Sequence, residues 1–142
     1  MFSKIFLSSD HGGFKLKEKV KDFLLENNLK YEDLGCKSLE PVDYPDYAKL
    51  LSKKLQDKNN SIGILFCGTG IGISMAANRF PHIRAALCTS VEMASKSRKH
   101  NDANVLALGG RILEDKLAIK IVKEFLQTDF EAGRHSLRVD KI

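Results

Sequence analysis

The segment of this sequence with the clearest chemical potential is a cysteine followed by alternating glycines. It reads Cys67-Gly68-Thr69-Gly70-Ile71-Gly72. Glycines leave backbone N–H groups exposed and let the chain pass close to a ligand. N–H groups at the start of a helix bind anions such as an enediolate oxygen, and the helix dipole favours the thiolate form of a cysteine placed there. The segment therefore predicts an anion site beside a reactive thiolate. The alternative is a tight strand-to-helix turn with a buried cysteine.

Three better-known loop types do not fit this segment. Its glycines are spaced GxGxG, which differs from the GxGxxG spacing of dinucleotide-binding loops. A P-loop requires Gly-Lys-Ser/Thr, and none follows. A cysteine phosphatase carries an arginine shortly after its nucleophile, whereas positions 72 to 74 are Gly72, Ile73 and Ser74. These mismatches argue against nucleotide binding and phosphatase chemistry of those kinds.

Two histidines, His11 and His100, are candidates for acid–base chemistry near neutral pH. His11 follows Asp10, which either caps the next helix or orients a sugar hydroxyl. His100 precedes Asn101 and Asp102, a group that can equally close a helix and begin a turn. Both assignments, the chemical and the structural one, stay open at this point.

Arginines suit a phosphate because the guanidinium group forms forked hydrogen bonds to its oxygens. The candidates are Arg111, Arg134 and Arg138, although each taken alone fits ordinary surface charge. The last two lie in 131–142, a stretch with little helical periodicity, and they share a face only if it is locally helical. Such a tail crosses to a neighbouring subunit or folds over a site; the alternative is a frayed terminus.

The elements that must position these residues alternate between strand and helix. Short apolar runs predict five strands, at 5–8, 31–34, 62–66, 84–87 and 105–108. Apolar residues at helical spacing predict helices at 14–27, around 47–55, from the glycine loop to 78, at 91–99 and at 114–128. Strands joined by helices imply right-handed crossovers. The predicted fold class is therefore α/β, a single Rossmann-like α/β/α sandwich with a five-stranded parallel sheet.

In open α/β sheets, ligands bind beyond the carboxyl ends of the strands. The segments that follow the first, third and fifth predicted strands are Asp10-His11-Gly12-Gly13, Cys67 to Gly72, and Gly109-Gly110-Arg111. The helix before the fifth strand ends at His100-Asn101-Asp102. We expect these polar groups to converge on one rim of the sheet.

Length and composition favour a cytosolic globular protein. The chain has 142 residues, enough for one domain over 1–142, with 43% hydrophobic and 29% charged residues. No apolar run approaches the roughly 20 residues that span a bilayer. Residues 1–4 lead straight into a strand and leave no room for a signal peptide. We therefore expect an unprocessed cytoplasmic protein.

The cysteine count and the net charge limit the metal sites and binding partners that the sequence predicts. Three cysteines without close pairing fit reduced thiols. Neither CxxC nor HExxH occurs, so the sequence predicts no metal site. The net charge of +5 fits nucleic acid, an anionic small molecule or no partner at all. Because the lysines are spread over predicted helices, we expect them to be solvated and expect no nucleic-acid or membrane partner.

Six segments together resemble the ribose-5-phosphate isomerase B family, which is related to the galactose-6-phosphate isomerase subunits. The resemblance runs in order from about position 5 to position 138, so it covers nearly the whole chain. The matching segments are Asp10 to Lys17, Asp43-Tyr44-Pro45, Cys67 to Ser74, Arg84-Ala85-Ala86, His100 to Arg111 and Gly133 to Arg138.

The resemblance implies a homodimer or homotetramer with shared active sites and no metal or organic cofactor. It implies Cys67 as the base that moves a proton between C2 and C1, His100 as the acid that opens the sugar ring, and Thr69 as an assisting group. It assigns enediolate binding to Gly68, Gly70, Ile71 and Gly72, sugar contacts to Asp10, His11 and Asn101, and phosphate binding to Arg111, Arg134 and Arg138. One branch of the family uses a glutamate after the glycine loop, where this chain has Ile73.

The predicted function is the interconversion of D-ribose 5-phosphate and D-ribulose 5-phosphate in the non-oxidative pentose phosphate pathway. Three alternatives stay open. They are an isomerase of a six-carbon sugar phosphate (allose or galactose 6-phosphate), a non-catalytic sugar-phosphate or nucleotide sensor, and a nucleic-acid binder. The depth of the pocket would distinguish a six-carbon substrate from ribose 5-phosphate. Proton exchange at C2 would exclude a sensor, and salt-sensitive affinity for DNA or RNA would indicate a nucleic-acid binder.

Overall fold

A five-stranded parallel sheet forms the centre of the molecule, in the order β2-β1-β3-β5-β4. The computed structural model describes residues 2–57 and 60–142. Met1 therefore lies outside the described residues. It belongs to residues 1–4, where the sequence predicts no signal peptide. The strands are β1 (Lys4–Ser9), β2 (Tyr31–Asp33), β3 (Ser61–Cys67), β4 (Ala85–Leu87) and β5 (Val105–Gly109). The predicted fold class is confirmed.

Helices connect the strands and cover both faces of the sheet. They are α1 (Phe14–Glu26), α2 (Tyr44–Leu55), α3 (Ile71–Ala77), α4 (Val91–Asn101) and α5 (Asp115–Gln127). A 3₁₀ turn (Gly133–His135) and the short helix α6 (Ser136–Val139) follow, so the tail is locally helical although its sequence has little helical periodicity. Among the described residues, no helix is long and apolar enough to cross a membrane.

The two faces of the sheet bury separate cores because successive residues of a strand point to opposite sides. Ile64 and Phe66 of β3 lie in the core that α1, α4 and α5 cover. Leu65, between them, lies in the core that α2 and α3 cover. All three side chains are fully buried, and truncating Phe66 to alanine would cost about 3–5 kcal/mol of folding free energy. This continuous apolar run fixes where Cys67 emerges at the end of β3.

One lysine departs from the expectation of solvated helical lysines. The side chain of Lys17 in α1 is fully buried, and its Nζ donates to Asp33 Oδ1 at 2.6 Å and to the Cys36 carbonyl at 2.7 Å. Burial alone would raise the pKa of Asp33, but hydrogen bonds from Lys17, Lys21 and the Gly35 N–H outweigh it and hold the pKa below its usual range. The ion pair anchors the segment that follows β2 against α1. Periodicity could not reveal this because Lys17 lies next to the apolar stripe and its partner is distant in sequence.

Candidate active site

The glycine loop after β3 wraps its backbone around the sulfur of Cys67. The N–H of Gly70 donates to Cys67 Sγ at 3.0 Å, and the Cys67 residue is 4% exposed. Gly70 has a φ of 79°, and a Cβ there would lie 2.6 Å from Leu87 Cδ1, so only glycine fits without strain. The Ile71 N–H donates to Thr69 Oγ1 at 3.2 Å, which leaves the hydroxyl hydrogen of Thr69 free to donate elsewhere.

The loop after β1 lies directly against the glycine loop. A Cβ on Gly12 would be 3.0 Å from the Gly68 nitrogen, so the two backbones are in close contact. Asp10, 6% exposed, accepts the Gly13 N–H on Oδ1 at 3.0 Å. Within the described chain its Oδ2 accepts no hydrogen bond. Asp10 therefore stabilises its own loop with one oxygen and keeps the other for a hydroxyl.

The loop after β5 completes this rim. The Gly110 N–H donates to the Cys67 carbonyl at 2.8 Å, and the Arg111 N–H donates to the Gly68 carbonyl at 2.9 Å. The Arg111 guanidinium lies over Gly68, because a Cβ there would be 3.4 Å from Nη1. No partner for this guanidinium occurs in the part of the chain that the structure describes. Arg111 is thus a cation held beside the glycine loop and available to an anion.

His11 has one ring nitrogen committed to the protein. Its Nδ1 accepts the Val42 N–H at 3.1 Å, which ties the segment before α2 to this rim. A neutral imidazole that accepts on Nδ1 carries its hydrogen on Nε2. His11 can therefore donate a hydrogen bond from Nε2 to a bound anion or hydroxyl.

His100 and Asn101 lie at the opposite edge of the sheet. The carbonyls of Asn101 and Asp102 accept hydrogen bonds from Arg84 Nε at 3.2 and 3.0 Å, and Arg84 immediately precedes the first residue of β4. The end of α4 is therefore at the amino ends of the strands. The length of β5, roughly 16 Å at about 3.3 Å per residue, separates this edge from the rim around Cys67.

The expectation that all these groups converge on one rim is therefore wrong within one chain. The loops after β1, β3 and β5 do meet, but His100 and Asn101 do not join them. The physical reason is the crossover geometry: a helix between two parallel strands runs antiparallel to them, so its last residues return to the amino edge. The structural interpretation of His100-Asn101-Asp102, a helix end followed by a turn, matches the left-handed conformation of Asp102.

The tail packs its own histidine on His100. The rings of His100 and His135 stack with centroids 4.3 Å apart and planes 11° apart. Glu131 Oε2 is 4.0 Å from His100 Nε2 and 3.8 Å from His135 Nε2. Burial, together with the nearby positive charges of His100 and Arg134, lowers the pKa of His135. The tail therefore approaches the end of α4.

The two tail arginines share one short helical segment. Arg138 Nη1 donates to the Arg134 carbonyl at 2.8 Å across one helical turn. This local helix meets the condition under which the two residues share a face. Both charges act on His135, so they lie on the same side of the molecule as the stacked histidines.

The candidate residues thus form two groups, which we call the cysteine half-site (Asp10, His11, Cys67, Gly68, Thr69, Gly70, Ile71, Gly72 and Arg111) and the histidine half-site (His100, Asn101, Arg134 and Arg138).

Comparison with known proteins settles the family. A family model described as Ribose/Galactose Isomerase matches residues 5–142. This chain belongs to that family. The resemblance stated from the six sequence segments is confirmed.

Individual relatives match over nearly their whole length. The probable ribose-5-phosphate isomerase B of Mycoplasma pneumoniae is 50% identical over 139 residues, which are 97% of this chain and 91% of the relative. Ribose-5-phosphate isomerase B of Escherichia coli is 44% identical over 139 residues, 98% of this chain and 93% of the relative.

Solved structures agree with this assignment. The ribose 5-phosphate isomerase of Thermotoga maritima superposes with a TM-score of 0.95 at 51% identity, covering 97% of this chain and 95% of that one. Ribose-5-phosphate isomerase B of Mycoplasma genitalium, solved with bound ribulose-5-phosphate, gives a TM-score of 0.94 at 42% identity, covering 99% and 95%.

In this member of the ribose/galactose isomerase family, one further residue borders the glycine loop. The ring of Tyr44, the first residue of α2, packs on Gly72, where a Cβ would lie 2.6 Å from Tyr44 Cζ and 3.0 Å from its hydroxyl. Tyr44 is 40% exposed, and its hydroxyl has no partner in ranges 2–57 and 60–142. In the sequence, Tyr44 stands out only as part of the matching segment Asp43-Tyr44-Pro45. An aromatic residue close to Pro41 and Pro45 was the one sequence signal that this segment could line the site.

Proposed function

We propose that this protein interconverts D-ribose 5-phosphate and D-ribulose 5-phosphate. The observation that carries the proposal is the cysteine half-site, where a buried sulfur, a glycine loop at the start of α3 and the free guanidinium of Arg111 meet at the carboxyl ends of three strands. Such a rim can hold a small anion and exchange a proton with it. The names of the Mycoplasma pneumoniae and Escherichia coli relatives supply ribose 5-phosphate, and the Mycoplasma genitalium structure with bound ribulose-5-phosphate supplies the second sugar.

In the proposed mechanism, the Cys67 thiolate removes the proton from C2 of the open-chain aldose. The Gly70 N–H donates to Sγ at 3.0 Å and so holds the sulfur in place beside the loop. Loop N–H groups between Gly68 and Gly72 meet the negative charge of the enediolate, a contribution worth roughly 3–4 kcal/mol for one such donor in a characterised protease. Cys67 then returns the proton to C1.

Thr69 and Asp10 handle the hydroxyls in this proposal. Thr69 Oγ1 already accepts the Ile71 N–H, so its own hydrogen points to the substrate, where it can relay a proton between the oxygens on C2 and C1. Asp10 offers its free Oδ2 to a sugar hydroxyl. Only protons move in the reaction, so the mechanism uses no metal and no organic cofactor.

We infer that the histidine half-site of each complete site comes from a second subunit. Because the length of β5 separates His100 from Cys67 in one chain, a substrate the size of a pentose phosphate cannot touch both. We propose a homodimer, or a homotetramer built from such dimers, in which the tail 131–142 lies at the subunit interface. His100 of one chain then opens the sugar ring bound at Cys67 of the other.

The same pairing assembles a phosphate site from both chains. Arg111 belongs to the cysteine half-site, while Arg134 and Arg138 come with the histidine half-site. Guanidinium forks from two sides, with Nε2–H of His11, would fix the phosphate and thereby position the remote carbons for proton transfer. We further propose that the enzyme works in the cytoplasm, in the non-oxidative pentose phosphate pathway.

Isomerase activity with EDTA present tests the proposal. Wild type should convert ribose 5-phosphate to ribulose 5-phosphate, and Cys67→Ala should lose nearly all turnover while it keeps its fold. Cys88→Ala is the matched control, because Cys88 is also buried but lies in the core under α1, α4 and α5. A folded wild type without turnover, or a fully active Cys67→Ala, would contradict the proposal.

A six-carbon substrate is the second candidate, because the matching family is described as acting on ribose or galactose. Parallel assays with allose 6-phosphate and galactose 6-phosphate decide it through the ratio of kcat/KM values. A sensor without catalysis would show no exchange of the C2 proton with deuterated water for any of the three sugars.

A further inference from the structure

We propose that His100, Glu131 and His135 form a binding site for a divalent transition-metal ion, Zn²⁺ above all, and that the ion inhibits the enzyme. One ligand atom from each of the three side chains lies within 4.8 Å of the other two. Two imidazoles and one carboxylate are a common zinc ligand set, which leaves a fourth position for water. The proposed isomerase neither uses nor needs this ion, so the site is regulatory.

The separation of the three ligand atoms is compatible with closure around one ion. Glu131 Oε2 is 4.0 Å from His100 Nε2 and 3.8 Å from His135 Nε2. Ligand atoms around a tetrahedral Zn²⁺ lie roughly 3.4 Å apart, since each sits about 2.0–2.1 Å from the metal. The ligand atoms therefore have to approach one another by about 1 Å. Because a metal ion lies in the plane of each imidazole that binds it, the stacked rings of His100 and His135 also have to turn out of their parallel arrangement. The side chain of Glu131 is 52% exposed and can make this movement.

A backbone hydrogen bond already holds the start of the tail against the end of α4. The Glu131 N–H donates to the Lys99 carbonyl at 3.1 Å, so the start of the tail is tied to the last turn of α4. The stacked rings of His100 and His135 keep both imidazoles on one side of that contact. The ring nitrogens of these two histidines make no hydrogen bond to the described residues, so no protein group competes with a metal ion for them.

The chemistry of the surroundings selects the kind of ion. Arg134 and Arg138 act electrostatically on His135, and their positive charge disfavours an ion held by charge alone. Mg²⁺ and Ca²⁺ prefer oxygen ligands and would find one carboxylate here. Zn²⁺, Cu²⁺ and Ni²⁺ bind imidazole strongly enough to tolerate nearby arginines. We therefore expect binding of these borderline ions and none of Mg²⁺.

Inhibition follows from the role of His100, and this step rests on the proposed function. A metal ion on Nε2 occupies the lone pair that would otherwise carry the proton for ring opening. The ion also places positive charge beside the residues that receive the substrate. Bound Zn²⁺ should therefore lower the rate with cyclic ribose 5-phosphate.

The test combines a binding measurement with an activity measurement on the intact oligomer. Zn²⁺ is titrated in competition with a chromophoric chelator, and isomerase activity is followed with Zn²⁺ or with EDTA. The variants are Glu131→Gln and His135→Asn, with Glu92→Gln and His82→Asn as matched controls for the same chemical changes elsewhere. Circular dichroism and thermal melting verify that each variant is folded.

We expect one Zn²⁺ per chain and inhibition that EDTA reverses. Glu131→Gln and His135→Asn should weaken binding by a factor of about ten or more and relieve inhibition to the same extent. Glu92→Gln and His82→Asn should behave as wild type. Zinc binding or inhibition that persists in both ligand variants would overturn the site, because it would point to another location such as Cys67. Residue-dependent zinc binding by a folded protein without isomerase activity would instead overturn the proposed function and leave the site standing.

Discussion

The backbone N–H of Gly70 points at the sulfur of Cys67 from 3.0 Å. Gly70 has a positive φ of 79° and leads the chain from this contact into α3. Sulfur and loop are therefore one unit: the conformation that presents N–H groups to a substrate is the same one that holds the thiol.

Gly70→Ala should damage both activity and stability. The new Cβ would lie 2.6 Å from Leu87 Cδ1 and 2.9 Å from the Leu108 carbonyl carbon, at a φ that L-residues avoid. The backbone strain should cost about 1–3 kcal/mol of unfolding free energy, and displacement of the loop should lower kcat roughly a hundredfold. Urea unfolding and steady-state kinetics measure the two effects.

Gly133→Ala is the control for this loop variant. Gly133 also has a positive φ, but its Cβ would meet nothing within 4 Å. Its loss of stability should therefore be the smaller of the two, about 1 kcal/mol. Equal losses in the two variants would show that the close contacts around Gly70 do not matter.

Asp33→Asn should destabilise the fold because it leaves Lys17 buried without its counter-charge. Removing one partner of a buried ion pair costs about 3 kcal/mol or more. Glu32→Gln is the matched control next to it in β2, because Glu32 pairs with the more exposed Lys4 and Lys54 and should cost less than about 1 kcal/mol. Urea unfolding at pH 7 measures the difference, and equal effects would contradict the buried-pair account.

The same carboxylate predicts a specific acid response. The pKa of Asp33 in the folded protein is below its ordinary value of 3.8. Its stabilising contribution is therefore complete above the unfolded-state pKa and is lost as the pH falls through the lower folded-state pKa. Between about pH 4 and pH 2, wild type should lose more stability than Asp33→Asn does. If the free energy of unfolding fell equally with pH in both proteins, the pKa assigned to Asp33 would be wrong.

Thiol modification should distinguish Cys88 from Cys67. Burial raises the pKa of the Cys88 thiol to about 11, so almost none of it is thiolate at pH 8. Iodoacetamide should therefore label Cys67 first in the folded protein, with loss of activity, and Cys88 only after unfolding in urea. Mass spectrometry of digests identifies the labelled residue. Substrate should slow labelling at Cys67, and preferential labelling of Cys88 in the native state would contradict the raised pKa of its thiol.

The parts of the fold that the sequence predicts are those encoded locally. Apolar runs such as 62–66 placed the buried strands, and the glycine loop after β3 stands where the strand ends. His100 was expected at the wrong edge of the sheet, although a helix that joins two parallel strands ends near their amino ends and the predicted fold already implied this position. The burial of Lys17 and the contact of Glu131 with both histidines depend on partners distant in sequence, which no periodicity encodes.

The central claim is that each complete site takes Cys67 from one chain and His100 from another. Mixing Cys67→Ala and His100→Asn subunits, by co-expression with two different tags or by joint refolding, tests it directly. Each heterodimer would contain one site with both residues intact, so an equal mixture should reach about a quarter of wild-type activity, well above either variant alone. Activity that stays at the mean of the two separate variants would contradict the shared site.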